Sequence, residues 1–116
     1  MSVPDDCQLG DALRLIHGRY SEPWTLRRLA RECTMSRSSF AERFSESVGV
    51  PPMTYLTRWR MRVAADLFCT TSMSVAQVAR RVGYQSESAL SRAFKRHLGH
   101  PPGMYRELRM TQEARP

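Results

Sequence analysis

Residues 74–99 read SVAQVARRVGYQSESALSRAFKRHLG, and two helical periods lie on them, one after the other. In the first, Ser74 precedes Val75, Val78, Ala79 and Val82. That is the i, i+3, i+4, i+7 stripe of one buried helix face. In the second, Ser86 precedes Leu90, Phe94 and Leu98, and Gly99 follows. Serine caps a helix start because its hydroxyl accepts from a backbone N–H of the first turn. Glycine accepts the left-handed conformation that closes a helix end. With Gly83 as the turn, the spacing predicts two short helices joined by about three residues, which is helix-turn-helix geometry.

Upstream, residues 25–55 repeat this pattern. Thr25-Leu26-x-x-Leu29-Ala30 parallels Ser74-Val75-x-x-Val78-Ala79 at an offset of 49. Phe40-x-x-x-Phe44-x-x-x-x-Gly49-x-Pro51-Pro52-x-x-Tyr55 parallels Leu90-x-x-x-Phe94-x-x-x-x-Gly99-x-Pro101-Pro102-x-x-Tyr105 at an offset of 50. One extra residue, near Gln85, lies between the two stretches. In the first copy Thr25 caps the leading helix, Thr34-Met35 makes the break, Ser36 caps the second helix and Gly49 closes it.

Three further helices complete the pattern. A first helix, capped at Asp5 or Asp6, turns Leu9, Leu13, Ile16 and Tyr20 inward and stops at Glu22-Pro23. Pro51-Pro52 opens a long helix lined by Leu56, Trp59, Val63 and Leu67, broken at Thr70-Thr71-Ser72. Pro101-Pro102 opens a last short helix with Met104, Tyr105 and Leu108. The expected fold is all-α: two helix-turn-helix subdomains joined by a long linker helix, about seven helices. The boundaries are 1–8 for an N-terminal flank, 9–50 for the first subdomain, 51–69 for the linker helix, 70–109 for the second subdomain and 110–116 for a tail. Each repeat is close to the size at which a core becomes marginal alone.

The chain has 116 residues and a net charge of +7, with a pI near 10.2. Such a balance favours a polyanionic partner. The charge is uneven. Residues 1–54 hold seven Arg and seven Asp or Glu, whereas residues 55–116 hold eleven Arg or Lys and four Asp or Glu. Of the basic residues only Lys95 is lysine. Arginine suits phosphate forks and base edges, although a GC-rich genome produces the same bias.

Other classes fit poorly. Cys7, Cys33 and Cys69 are scattered, with no CxxC spacing, which fits a reducing compartment. His17, His97 and His100 share no ligand spacing with them, so no metal is expected. No phosphate-binding glycine loop, GxSxG elbow or Ser/His/Asp set is present, and neither a cofactor nor an enzymatic activity is expected. No leader is visible, and no apolar run approaches the roughly 20 residues that span a bilayer. No membrane partner and a cytoplasmic, nucleoid location follow as expectations.

In a helix-turn-helix the second helix lies in the major groove and its N-terminal part meets base edges. Here those helices are about 36–48 and 86–98. Arg92 is the sharpest candidate, since arginine pairs bidentately with guanine O6 and N7; a phosphate contact or a solvated surface is its plainer reading. Glu42 and Glu87 either accept from cytosine N4 or orient a neighbouring arginine. Ser38, Ala41, Ser88 and Ala89 are small enough for close approach to bases, or are empty surface. Ser36 and Ser86 open helices whose N–H groups can hold a phosphate, and Arg80 and Arg81 flank the second turn as phosphate candidates. Trp24 and Trp59 read as core.

Residues 78–96, Val78-Ala79-Arg80-Arg81-Val82-Gly83-Tyr84-Gln85-Ser86-Glu87-Ser88-Ala89-Leu90-Ser91-Arg92-Ala93-Phe94-Lys95-Arg96, with Gly99-His100-Pro101-Pro102 and Tyr105-Arg106, closely resemble the signature of the AraC/XylS family of bacterial transcription regulators. Met35-Ser36-Arg37-Ser38-Ser39-Phe40 and Arg60-Met61-x-x-Ala64 resemble its upstream half, so the likeness spans about residues 9–109. The resemblance implies recognition helices in successive major grooves on one face of double-stranded promoter DNA. It places base contacts at Ser38, Ala41, Glu42, Ser88, Ala89 and Arg92. It places phosphate contacts at Ser36, Arg37, Arg43, Ser86, Lys95 and Arg96. In the first recognition helix, Ala41 and Glu42 stand where many relatives carry larger or basic readers. The resemblance further implies RNA polymerase as a partner, and an effector or dimerisation domain on a preceding segment. A stand-alone protein-interaction module, or a basic coat for DNA of any sequence, is the alternative. A cysteine-based alkyl acceptor would need a cysteine cluster that the sequence lacks.

Overall fold

Each short helix starts where a hydroxyl is available to cap it. In the computed structural model, which describes the backbone of residues 3–104 and 106–107 and side chains from Gln8 onward, Thr25 caps α2 (Leu26–Glu32) by accepting from the Arg28 N–H. Ser36 caps α3 (Arg37–Val48) through the Ser39 N–H at 3.2 Å. Before them runs α1 (Val3–Arg19) and after them α4 (Pro52–Thr70), followed by α5 (Val75–Val82) and α6 (Glu87–Leu98). Residues 102–104 and 106–107 are helical as well. No strand occurs among the described residues.

The chain divides into two compact units, one through Trp59 and one from Arg60, so α4 contributes its first part to one and the rest to the other. At 19 residues α4 is about 28 Å long.

In the first unit Leu9, Ala12, Ile16, Trp24, Leu29, Ala30, Cys33, Phe40, Phe44 and Leu56 form one buried cluster. Trp24 fills it and keeps its indole N–H satisfied at the Arg19 carbonyl, 2.8 Å away. Trp59 lies half-buried with its ring 4.2 Å from that of His17, whose Nε2 is 2.6 Å from the Tyr55 hydroxyl. In the second unit Met61, Ala64, Ala65, Phe68, Val78, Ala79, Val82, Leu90 and Phe94 are buried. Phe68 meets Phe94 edge-on at 5.6 Å.

The turns carry the repeat. Gly83 sits in the left-handed region at φ 99°, and the Tyr84 N–H beyond it returns to the Ala79 carbonyl at 2.8 Å. In the first copy the same position is Thr34, at φ 54°, and the Met35 N–H returns to the Ala30 carbonyl at 2.9 Å. The two turns share one hydrogen-bond plan, although only one uses glycine.

Four expectations need correction or lie beyond reach. The first helix begins at Val3, ahead of Asp5 and Asp6, so neither precedes it as a cap. Leu98 was expected inward and is 38% exposed, because it occupies the last turn of α6, where the core has ended. On α4 the buried face beyond Trp59 is Met61, Ala64, Ala65 and Phe68; Val63 and Leu67 are only partly covered. The shift follows from the helix serving two cores in turn. Tyr105 and Leu108 lie outside the described residues.

Candidate nucleic-acid interface

The second helix of each unit buries one stripe and leaves the rest in solvent. In α3, Phe40 and Phe44 are fully buried, which turns Arg37, Ser38, Glu42 and Arg43 outward, with Ala41 at the margin. In α6, Leu90 and Phe94 are buried, which turns Glu87, Ser88, Arg92, Lys95 and Arg96 outward, with Ala89 at the margin. Arg80 and Arg81, in the last turn of α5, are exposed too. Every candidate base or phosphate contact is therefore accessible, and each unit gathers its own onto a helix and the turn beside it.

The caps leave room for an anion. The Ser36 and Ser86 hydroxyls accept from the Ser39 and Ala89 N–H groups, at 3.2 and 3.1 Å. The remaining first-turn N–H groups of α3 and α6 point out of the helix end, as all orphan amides there do. α5 is fixed more firmly, by a reciprocal cap: the Gln77 N–H donates to Ser74 Oγ, and the Ser74 N–H donates to Gln77 Oε1 at 2.8 Å.

Around the second turn the structure adds residues to which the sequence assigned no role. The Arg60 guanidinium lies 5.8 Å from the Tyr84 ring centre. Burial pushes the Tyr84 phenol up, against the downward pull of Arg60 and Arg96. Burial likewise draws the Arg60 guanidinium down. Tyr84 follows the turn glycine, so this contact braces the approach to α6. Arg106 braces the second unit elsewhere: its Nε donates to the Phe68 carbonyl at 3.0 Å and its Nη2 to the Met73 carbonyl at 2.8 Å. Arg60, Tyr84 and Arg106 all stand within the residues that carry the family resemblance, which was the available signal.

Electrostatics separate the two units less cleanly than the residue counts imply. In the first unit Glu22 pairs with Arg19 and with Arg28, the latter at 2.6 Å, and Asp11 pairs with Arg14. The Arg28 guanidinium also stacks on Trp24 at 4.2 Å. Arg27, Arg31 and Arg37 instead line one open depression with Ala30, Thr34 and Met35. The first unit is nearly neutral as a sum, with eight Arg against seven Asp or Glu, and basic at its turn. Arg27 and Arg31 were missed as candidates. The repeat held a signal for Arg31, which is the counterpart of Arg80.

Among the described residues no cluster of three or more His, Cys, Asp or Glu is arranged to hold a metal. No helix there is long and apolar enough to cross a membrane.

A family profile described as "Helix-turn-helix domain" matches residues 29–108. The transcriptional regulator AlkR of Acinetobacter baylyi is 43% identical over 100 residues, covering 86% of this chain and 33% of AlkR. An activator from Escherichia coli, the RCS-specific RclR, is 38% identical over 100 residues, covering 86% of this chain and 35% of RclR. The chain thus spans about a third of the length of these relatives. Among solved structures, the DNA-binding domain of AdpA, a global transcriptional factor solved in complex with a target DNA, is similar at a TM-score of 0.88 and 30% identity. That likeness covers 94% of this chain and 98% of the AdpA domain. The C-terminal domain of AraT, a response regulator from Geobacillus stearothermophilus, is similar at a TM-score of 0.85 and 29% identity, covering 88% and 85% of the two chains.

Proposed function

The chain belongs to the AraC-type helix-turn-helix family of transcription regulators, and from that premise we propose that it binds double-stranded promoter DNA sequence-specifically, with α3 and α6 each entering a major groove. The observation that carries this reading is the outward face of α6. There Arg92 stands exposed among small residues, with Lys95 and Arg96 exposed beside it. Arg92 is the base reader, aimed at guanine O6 and N7. Ser38, Ala41, Glu42, Glu87, Ser88 and Ala89 shape the fit to the remaining base edges. Ser36, Arg37, Arg43, Arg80, Arg81, Ser86, Lys95 and Arg96 anchor phosphates.

The same reading extends to partners. A regulator bound at a promoter in the nucleoid would meet RNA polymerase. In a longer protein it would answer to an effector or dimerisation domain. The relatives' length, about three times that of this chain, supports that extension.

The test compares specific with random DNA. Arg92→Ala should weaken binding to a selected site by about 1–3 kcal/mol and relax one base position, with little change on random sequence. Equal loss on both would make Arg92 a phosphate contact. A wild type that binds all sequences alike would favour the DNA-coating alternative.

A further inference from the structure

Three arginines of the first unit converge on one depression. Arg27 and Arg31 lie one helical turn apart on α2, and Arg37 opens α3 on the far side of the turn. The depression is open, about 480 Å³, and its other walls are Ala30, Thr34 and Met35. No carboxylate lines it. Two acids of the unit are engaged elsewhere: Glu22 holds Arg19 and Arg28, and Asp11 holds Arg14. Glu32 and Asp11 both act on Cys33, whose thiol is pushed up by burial first and by these two charges next.

The side chains of Arg27, Arg31 and Arg37 make no hydrogen bond or ion pair among the described residues. Three like charges sharing one concavity repel one another by an amount that falls sharply once an anion sits between them. Guanidinium forks match the oxygens of a phosphate. The place is also well chosen: it borders Arg37, in the first turn of α3, whose N–H groups favour an anion.

We propose that this depression is a phosphate site that seats one backbone phosphodiester of the bound DNA and so sets the depth and register of α3. The assignment rests on the DNA-binding reading above and adds Arg27 and Arg31 to it. The second unit cannot reproduce it. At the positions equivalent to Arg27, Arg31 and Arg37 stand Ala76, Arg80 and Glu87. The units therefore divide the work. The second reads a base through Arg92, whose counterpart in the first is Glu42. The first adds this one seated phosphate to the backbone contacts that both units make, and presents small side chains to the bases.

The test uses a selected DNA site carrying one neutral methylphosphonate linkage at a time, with the wild type and an Arg27→Gln/Arg31→Gln variant. Both side chains are exposed, so the variant should keep its circular dichroism melt. The wild type should lose affinity at one linkage beside the first half-site. The variant should bind unmodified DNA about ten- to a hundredfold more weakly, show no further loss at that linkage, and have a salt slope shallower by about 0.9. A variant with wild-type affinity, slope and sensitivity at every linkage would overturn the site while leaving DNA binding intact. A wild type with no preferred DNA would remove the functional reading itself, and the site with it. Inorganic phosphate perturbing the Arg27 and Arg31 Nε signals, with DNA affinity unaltered in the variant, would assign the depression to a free anion and overturn the backbone assignment.

Discussion

Thr34 holds a conformation that its side chain resists. A β-branched residue at φ 54° is uncommon, and the left-handed region costs an L-residue about 1–2 kcal/mol. The fold needs that conformation, because the Met35 N–H must return to the Ala30 carbonyl. Part of the cost is offset by the Thr34 hydroxyl, which donates to the Cys33 carbonyl at 2.6 Å and accepts from Gln8 Nε2 at 3.3 Å. Thr34→Gly should raise the free energy of urea unfolding by about 1 kcal/mol; a lower stability would mean that the hydroxyl bonds outweigh the strain. Glu22 sets a second expectation. Hydrogen bonds from Arg19 first and Arg28 second hold its carboxyl below the ordinary 4.5. A carboxyl whose folded value is depressed contributes stability that is present above 4.5 and lost as pH falls through the folded value. Glu22→Gln should therefore flatten the acid limb of the melting temperature measured between neutral pH and about pH 3, and an unchanged limb would contradict the pairing. The sequence revealed the caps and the Arg92 face, because serine, threonine and glycine act through their own chemistry. It did not reveal Thr34, since nothing in threonine favours positive φ; only its alignment with Gly83 does. It also hid Arg27 and Arg31, because a sum of charges carries no information about which arginines the carboxylates claim.

At the scale of elements, every helix from α2 to α6 follows from its apolar period, and the ends differ in how plainly they are written. Polar caps and left-handed glycines marked the limits of α3, α5 and α6 to within a residue. For the first helix the polar signal misled: it starts at Val3, earlier than Asp5 and Asp6 suggested. α4 was legible as a long helix, but not the change of its buried face at the passage from one core to the other. Its C-terminal end is finished by Arg106, which reaches from the helical residues 106–107 to the carbonyls of Phe68, Thr71 and Met73. These are carbonyls that a helix end leaves without intrahelical donors, or that lie just beyond it. Arg106→Ala should destabilise the second unit by about 1.5–3 kcal/mol, the range for hydrogen bonds to a charged group. Amide hydrogen exchange resolved by residue would show the loss in α5 and α6; protection unchanged there would make Arg106 a surface ornament.

For the whole molecule, duplication supplied a scaffold and substitution made its halves different. The helices, caps and turns correspond, while Glu42 stands at the position equivalent to Arg92 and Arg37 at that of Glu87. The exposed arginines and Lys95 of the second unit outnumber the unpaired arginines of the first, so neutralising Arg92, Lys95 and Arg96 should flatten the salt dependence of binding more than neutralising Arg37 and Arg43. The reverse order would place the main anchor in the first unit. The central claim is that one chain carries two unequal DNA readers. It is tested most directly by selecting bound sites from random double-stranded DNA at a stated salt concentration, with the wild type and Arg92→Ala in parallel. The account predicts a wild-type consensus of two separate blocks, one of which holds a guanine position that Arg92→Ala no longer specifies. A single block, or no enrichment over the starting pool, would contradict it.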